Sequence, residues 1–283
     1  MYAAHLAAAG VEVRLLARGE RAERLRGLTV NGEPLAAQIV DPRDAQPADL
    51  VLVAVKSSRL GEAIDDMRAA VGPQTTILSV LNGLKSEERL VEAFGPEPVL
   101  LCIALAMDAR RDGGRVTYRQ AGRLVIGSGL PDGQLDRVSA VQNVLDRAGL
   151  AWESPADMRH EMWWKFMIDV GVNQASALTR TGYGAFVPEG PCRDLMRALM
   201  DEVIAVGRAD GIDLGDADLE RWEAVLAAQP ADGWTSMLQD VAAGRPTEVD
   251  ILAGHVVELG RRHGIPTPHN LTALWALQGL ASN

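Results

Sequence analysis

Residues 162–173 read MWWKFMIDVGVN, a run so apolar that a helix formed from it is hydrophobic almost all round. Such a helix belongs inside a protein rather than on its surface. Its polar residues Lys165, Asp169 and Asn173 recur every four positions, which places them on one helix face. Two interpretations are open: an ion pair on a half-exposed face, or a polar stripe that lines a cavity, with Lys165 as the reactive group.

The chain from about residue 155 onward carries helical patterns and no further strand pattern. Glycines stand where helices would end, and Pro266 and Pro268 prevent a helix from continuing. An all-α domain over residues 155–283 is therefore predicted. The expected helices span residues 157–178, 188–210, 216–228, 236–243, 249–263 and 270–280.

The first half alternates apolar strand-like runs with helical patterns, which is typical of a doubly wound parallel sheet. An antiparallel strand pair turning at Gly113-Gly114 should follow the parallel strands. We predict a Rossmann-like α/β domain over residues 1–154. The expected strands span residues 11–17, 50–55, 76–81, 99–107 and 151–152, and a helix is expected over 134–148.

The chain begins with YAAHLAAAG at residues 2–10, which has the composition of a helix that ends at Gly10. An α/β domain of this class normally places a strand and a glycine-rich turn before its first helix. We therefore expect the first strand of the sheet and its Gly-rich turn to be missing from these residues.

Arg18, Lys56 and Asn82 each follow the end of an expected strand. Singly, each has a simple explanation as a polar residue at a solvated strand end. In doubly wound sheets, however, ligands bind at the carboxyl ends of the strands, so the three together indicate one binding crevice.

The composition narrows the class of function. A net charge of −10 argues against a general nucleic-acid binder. No apolar run is long enough to cross a bilayer, and the two cysteines, Cys102 and Cys192, form no pair motif. A reduced, cytoplasmic protein without membrane partners is expected.

Two polar segments remain in the helical half, TSMLQD at 235–240 and GRPTEVD at 244–250. Each is explained adequately as a helix start, with Thr235 or Ser236 and then Thr247 as caps. The histidines lack metal-ligand spacing, so we expect no metal site.

Taken together, the chain resembles the ketopantoate reductase (2-dehydropantoate 2-reductase) family. The matching elements are VAVKSS at 53–58, LNG at 81–83, MWWKFMIDVGVN, TSMLQD and GRPTEVD, in the family's order. The resemblance implies an N-terminal NADP-binding domain, a helical substrate domain that is compatible with a homodimer, and NADPH-dependent reduction of a 2-oxo acid. 2-Dehydropantoate, a precursor in pantothenate biosynthesis, is the expected substrate.

The resemblance also implies roles for single residues. Lys165 matches the family's general acid, and Glu248 matches a carboxylate that orients the substrate hydroxyl. Asn82, Asn173 and Ser236 match polar positions in the substrate cleft or, for Asn82, beside the cofactor as well.

The same comparison assigns two cofactor contacts. Lys56 matches a lysine beside the nicotinamide end. Arg18 matches an arginine on the adenosine 2′-phosphate, which favours NADP over NAD.

Two features depart from the family pattern: the Gly-rich turn is absent, and Asp169 takes a substrate-site position where better-known members carry asparagine. Two rival hypotheses therefore stay open. One is a paralogue that reduces another branched 2-oxo acid. The other is a catalytically silent protein that keeps the fold without binding cofactor.

Overall fold

The computed structural model describes residues 1–130 and 133–281, which form two compact units. The α/β unit comprises Met1–Leu81 and Ser86–Met158. The helical unit comprises Asn82–Lys85 and the chain from Arg159 onward. The division falls four residues after the predicted boundary at 154, and it places the short segment 82–85 with the helices.

The α/β unit is built on three sheets. The elements are α1 Tyr2–Ala8, β1 Arg14–Leu16, α2 Gly19–Leu25, β2 Thr29–Val30, β3 Glu33–Pro34, β4 Gln38–Val40, β5 Leu50–Val53, α3 Leu60–Met67, β6 Thr76–Ser79, α4 Lys85–Phe94, β7 Val99–Leu105, β8 Arg110–Asp112, β9 Arg115–Thr117, β10 Arg123–Gly127, α5 Leu135–Arg147 and β11 Ala151–Glu153. A five-stranded sheet has the order β11-β10-β7-β6-β5, in which β5, β6 and β7 are parallel and β10 is antiparallel to β7.

Both faces of the five-stranded sheet are covered by helices, which explains the continuous apolar strands. Successive side chains of a strand point to opposite faces. Ile77 packs in a cluster with Leu60 and Ile64 of α3, whereas Leu78 packs in a cluster with Val141 of α5. The prediction of a parallel-sheet α/β domain is confirmed.

One strand differs from the predicted sheet. β1 pairs in parallel with β4 in a separate two-stranded sheet, rather than with β5. β4 is not recognisable from the sequence, because Gln38–Val40 has only three residues and no alternating pattern. The remaining sheet, β3-β2-β9-β8, contains the predicted antiparallel pair of β8 and β9.

The helical unit contains seven α-helices within the described residues, one more than the six predicted, because a π turn divides the helix expected over 157–178 into two. Among all the helices in the described part of the chain, none combines the length and the apolar character needed to cross a membrane. The elements are α6 Met158–Ile168, a π-helical turn Asp169–Asn173, α7 Gln174–Thr179, α8 Pro191–Ala209, α9 Asp216–Ala227, α10 Ser236–Ala242, α11 Ala253–His263 and α12 Pro268–Ala281.

Two predicted helices need correction. The helix expected over 157–178 contains the π turn, so it is not a uniform α-helix. The helix expected from 249 begins at Ala253, and Thr247 does not cap it. Instead, turns close between Glu248 and Ile251 and between Val249 and Leu252, so Glu248 lies in a loop. Thr235, by contrast, caps α10 by accepting a hydrogen bond from the Leu238 N–H at 3.2 Å.

Candidate active site

The polar stripe on α6 and the π turn forms a connected group. The ammonium of Lys165 donates to Asp169 Oδ1, and the Asn173 side-chain amide donates to the same oxygen at 3.2 Å. The side chains of Lys165 and Asp169 are only 21% and 6% exposed. The two side chains do form the ion pair of the simpler interpretation, but on a largely buried face of the helix rather than on a half-exposed one.

The second carboxylate oxygen of Asp169 is chemically unusual. Asp169 Oδ2 is buried and receives no hydrogen bond from the described residues. A buried acceptor without a donor costs about 1–3 kcal/mol, so a donor on a bound small molecule would be favoured here. Burial raises the pKa of Tyr183, and the nearby Asp169 raises it further.

The π turn is the local reason for this arrangement. Turns of this type are rare and are frequent at functional sites. Gly171 lies at its centre, and a Cβ there would collide with the side chain of Met200 on α8. The sequence signal that could have revealed the close approach is a glycine inside an otherwise continuous apolar helix.

A second pair lies within the helical unit. The Asn82 side-chain amide donates to Glu248 Oε2 at 3.1 Å. Gly83 has a φ of +84°, and a Cβ on it would lie 3.2 Å from the Ile251 carbonyl oxygen. Lys85 also pairs with Glu258 at 2.5 Å. The segment 82–85 is therefore held against the loop that contains Glu248 and against α11, which contains Glu258.

Ser236 is the first residue of α10, and its side chain is exposed. This helix packs against α7 and the π turn, which contains Asn173. The structure thus places Lys165, Asp169, Asn173, Asn82, Glu248 and Ser236 in one compact unit. Direct hydrogen bonds join the first three and, separately, Asn82 with Glu248.

The two predicted cofactor residues lie in the α/β unit. Arg18 follows β1 and places its Nη2 atom 3.3 Å from the buried carboxylate of Asp66. Its side chain remains 54% exposed, so N–H groups on the guanidinium face solvent and can meet a phosphate. Lys56 follows β5, is exposed, and precedes the 3₁₀ turn Ser57–Arg59.

Arg18 and Lys56 supply the positive charges that the family resemblance assigns to the two ends of a dinucleotide cofactor. The pyrophosphate between those ends needs a group of backbone N–H donors. No Gly-x-Gly-x-x-Gly segment occurs in the 283 residues, so this chain supplies no such cradle for the phosphates. Across the described ranges, no cluster of three or more His, Cys, Asp or Glu side chains could hold a metal ion.

Sequence reasoning missed two buried polar groups, one in each unit. Gln174 directly follows Asn173, the last residue of the stripe, and is fully buried. A polar amide within so apolar a stretch is the feature of the sequence that could have indicated a buried hydrogen-bonding role. Glu87 on α4 is also buried, which raises its pKa to about 8. Its carboxyl accepts from Ser86 at 2.6 Å, and the Ser79 hydroxyl donates to Ser86 at 2.9 Å.

Comparison with known proteins adds the following likenesses. The family described as "Ketopantoate reductase PanE/ApbA" matches residues 1–130, and its C-terminal counterpart matches residues 157–281. A 2-dehydropantoate 2-reductase from Halobacterium salinarum is 33% identical over 233 residues, covering 81% of this chain and 74% of the relative.

Two further relatives cover almost the whole chain. The 2-dehydropantoate 2-reductase of Vibrio cholerae is 28% identical over 95% of this chain and 90% of its own length. The crystal structure of a PanE/ApbA family ketopantoate reductase from Ralstonia eutropha JMP134 has a TM-score of 0.84 and 29% identity, covering 99% of this chain and 94% of that one.

Proposed function

The chain belongs to the ketopantoate reductase family, and from that premise we propose that it is an NADPH-dependent reductase of 2-dehydropantoate. The family is one of oxidoreductases. The observation that carries the proposal is the buried group of Lys165, Asp169 and Asn173, which holds a cationic proton donor on an otherwise apolar helix.

Lys165 is proposed as the general acid. Hydride addition to a carbonyl carbon builds negative charge on the carbonyl oxygen, which a neighbouring ammonium stabilises and then protonates. A bound reduced nicotinamide supplies the hydride. The 2-oxo acid, one hydride and the proton from Lys165 Nζ together give the 2-hydroxy acid. Solvent then returns a proton to Lys165.

Glu248 and Asn82 are proposed to orient the substrate. The Asn82 amide holds Glu248 Oε2, so the carboxylate has a fixed direction and Oε1 can accept a hydrogen bond from a substrate hydroxyl. The hydroxyl of 2-dehydropantoate suits that acceptor. Asn173 and Ser236 complete the proposed substrate contacts.

Arg18 and Lys56 are proposed to bind NADP, with Asn82 beside its nicotinamide end. An arginine after the second strand of such a domain suits a 2′-phosphate, whereas an acidic residue there would suit the free ribose hydroxyl. The ion pair with Asp66 limits the directions in which Arg18 can point. A cytoplasmic location, a homodimer and a place in pantothenate biosynthesis stay predictions.

A second candidate is reduction of a different branched 2-oxo acid, which Asp169 favours. Asparagine both donates and accepts hydrogen bonds, whereas an ionised aspartate only accepts. An acceptor beside Lys165 would also repel a substrate carboxylate placed close to it.

The test is NADPH oxidation with two substrates that differ in one group. Trimethylpyruvate is 2-dehydropantoate without its hydroxyl. We expect 2-dehydropantoate to have a kcat/KM at least about 10-fold higher, because Glu248 would otherwise face an apolar methyl group. Equal rates would favour the second candidate. No turnover with either compound, or with a wider panel of 2-oxo acids, would favour the catalytically silent protein.

A further inference from the structure

A chain of buried polar side chains leads from α8 through α12 to the π turn. Glu202 on α8 accepts hydrogen bonds from the backbone N–H groups of His269 and Asn270, at 2.8 and 2.9 Å. These N–H groups belong to the first turn of α12, where a carboxylate is favoured by the helix dipole. The Asn270 side-chain amide also donates to Glu202 Oε2 at 2.8 Å.

Asn270, which is held by Glu202, in turn accepts a hydrogen bond from Gln174. The Gln174 amide nitrogen donates to Asn270 Oδ1 at 3.2 Å and to the backbone carbonyl of Val170 at 2.7 Å. Gln174 and Asn270 are both fully buried. The Gln174 amide is held through its nitrogen, which makes both bonds, whereas its Oε1 atom is buried and receives no hydrogen bond from the described residues. Because a buried amide donor is costly when it is unpaired, the two bonds to Nε2 favour one orientation of this side chain.

The acceptor at the end of this chain lies inside the π turn. Where bonding changes from i→i+4 to i→i+5, one carbonyl loses its usual backbone partner. Buried carbonyls need a replacement donor. Gln174 supplies a side-chain donor to one carbonyl of the turn, because its amide nitrogen lies 2.7 Å from the Val170 carbonyl oxygen within Asp169–Asn173.

The π turn carries two of the three residues of the stripe, since Asp169 begins it and Asn173 ends it. Residues four positions apart share a face in a regular α-helix as well, so the turn does not decide that Asn173 faces Asp169. It decides how far apart and at what angle the two side chains lie, because a turn closed by i→i+5 bonds is wider than an α-helical one. Loss of the turn would therefore change the hydrogen bond between Asn173 and Asp169.

We infer that Gln174, anchored by Asn270 and Glu202, is a positioning residue that holds the π turn and thereby keeps Asn173 on Asp169 beside Lys165. The inference rests on the proposed function for its effect on catalysis. Its geometric part concerns the Lys165 environment alone and can be tested without any turnover.

The test uses an isosteric variant and a matched control. Gln174→Met keeps the side-chain length and removes the donor to Val170. The control, Thr179→Val, removes a bond of the same kind one turn further along, from Thr179 Oγ1 to the Ala175 carbonyl at 2.7 Å. Both variants lose a side-chain donor to a helix carbonyl, but only Gln174→Met loses one whose acceptor lies in the π turn.

The direct readout is NMR of the lysine side chains. The sequence contains three lysines, Lys56, Lys85 and Lys165, so selective ¹³C labelling gives three assignable signals. In Gln174→Met we expect the Lys165 signal to move while those of Lys56 and Lys85 stay in place. Thr179→Val should leave all three unchanged. An unmoved Lys165 signal in folded Gln174→Met would overturn the inference.

Kinetics give the second readout. Gln174→Met should lower kcat/KM for the 2-oxo acid by about 10- to 100-fold, the scale of a misplaced active-site group, without changing KM for NADPH. An unchanged kcat/KM in that variant would also overturn the inference. If the wild-type protein reduces no 2-oxo acid, the proposed function fails, and the lysine signals still decide the positioning role.

Should Gln174→Met not fold, Gln174→Glu replaces it. A protonated carboxyl keeps one O–H donor for the Val170 carbonyl, and the ionised form keeps none. The Lys165 signal should then match the wild type at acidic pH and depart from it at alkaline pH. A match across the whole range would contradict the inference.

Discussion

The side-chain amide of Asn82 lies 3.1 Å from Glu248 Oε2, although 166 residues separate the two in the sequence. The segment 82–85 follows a strand of the α/β unit and yet belongs to the helical unit. The carboxylate that we propose to orient the substrate is thus held by a residue from the other half of the sequence.

Asn82→Ala tests this relationship. Without its donor, Glu248 loses a charge-assisted hydrogen bond and its fixed direction. We expect kcat/KM for 2-dehydropantoate to fall by about 10-fold or more, as for a hydrogen bond to a charged group. The preference over trimethylpyruvate should shrink as well. Asn143→Ala, at an exposed position on α5, serves as the control and should change neither quantity.

Arg18→Ala tests the cofactor proposal. Removing the guanidinium should raise KM for NADPH by about 10-fold and leave KM for NADH nearly unchanged, because only NADPH carries the 2′-phosphate. Arg24→Ala, an exposed arginine on α2, is the matched control. A parallel increase of both KM values would show that Arg18 supports the fold rather than the phosphate.

Asp169→Asn tests the coupling along the polar stripe. The substitution removes the carboxylate that accepts from Lys165 and keeps a side chain of the same size. The variant should stay active, because Lys165 and Asn173 both remain. A loss of kcat as large as that of Lys165→Ala would mean that the Asp169 carboxylate itself is needed for the reaction.

Glu87→Gln tests the buried carboxyl of the α/β unit. Burial raises the pKa of Glu87 from an ordinary value near 4.5 to about 8, so the folded protein keeps a proton that the unfolded chain releases. The stability this provides is complete below about pH 4.5 and is lost as the pH rises towards 8.

The glutamine variant should avoid that loss. Relative to wild type, its free energy of unfolding should rise with pH, by on the order of 3 kcal/mol between about pH 5 and pH 9. Thermal melts across this range provide the measurement. Glu92→Gln, at an exposed position on the same helix, should follow the wild-type pH profile. A Glu87→Gln profile parallel to wild type would mean that Glu87 ionises normally.

The local pattern of apolar and polar residues was sufficient to predict much of the fold and part of the candidate site. The buried runs at 50–55 and 76–81 were recognisable as strands because both faces of the sheet are covered by helices. The four-residue spacing of Lys165, Asp169 and Asn173 showed that they share a face. β4 and the π turn could not be predicted, because both depend on packing partners distant in sequence.

Hydrogen bonds between residues distant in sequence could not be predicted from local pattern either. Nothing near Asn82 indicates Glu248, and nothing near Gln174 indicates Asn270, because each hydrogen bond joins segments that only the folded chain brings together. The resemblance to the family suggested Asn82 and Glu248 as site residues. It gave no indication of the network that ends at Gln174.

The central claim, that Lys165 is the proton donor, is tested most directly by two variants measured together. Lys165→Ala should lower kcat by about 10²- to 10⁴-fold. It also leaves Asp169 buried without its counter-ion, which should lower the melting temperature. Adding Asp169→Asn should restore the melting temperature and leave kcat low. A double variant that regains both stability and turnover would contradict the account, because Lys165 would then serve only to neutralise Asp169.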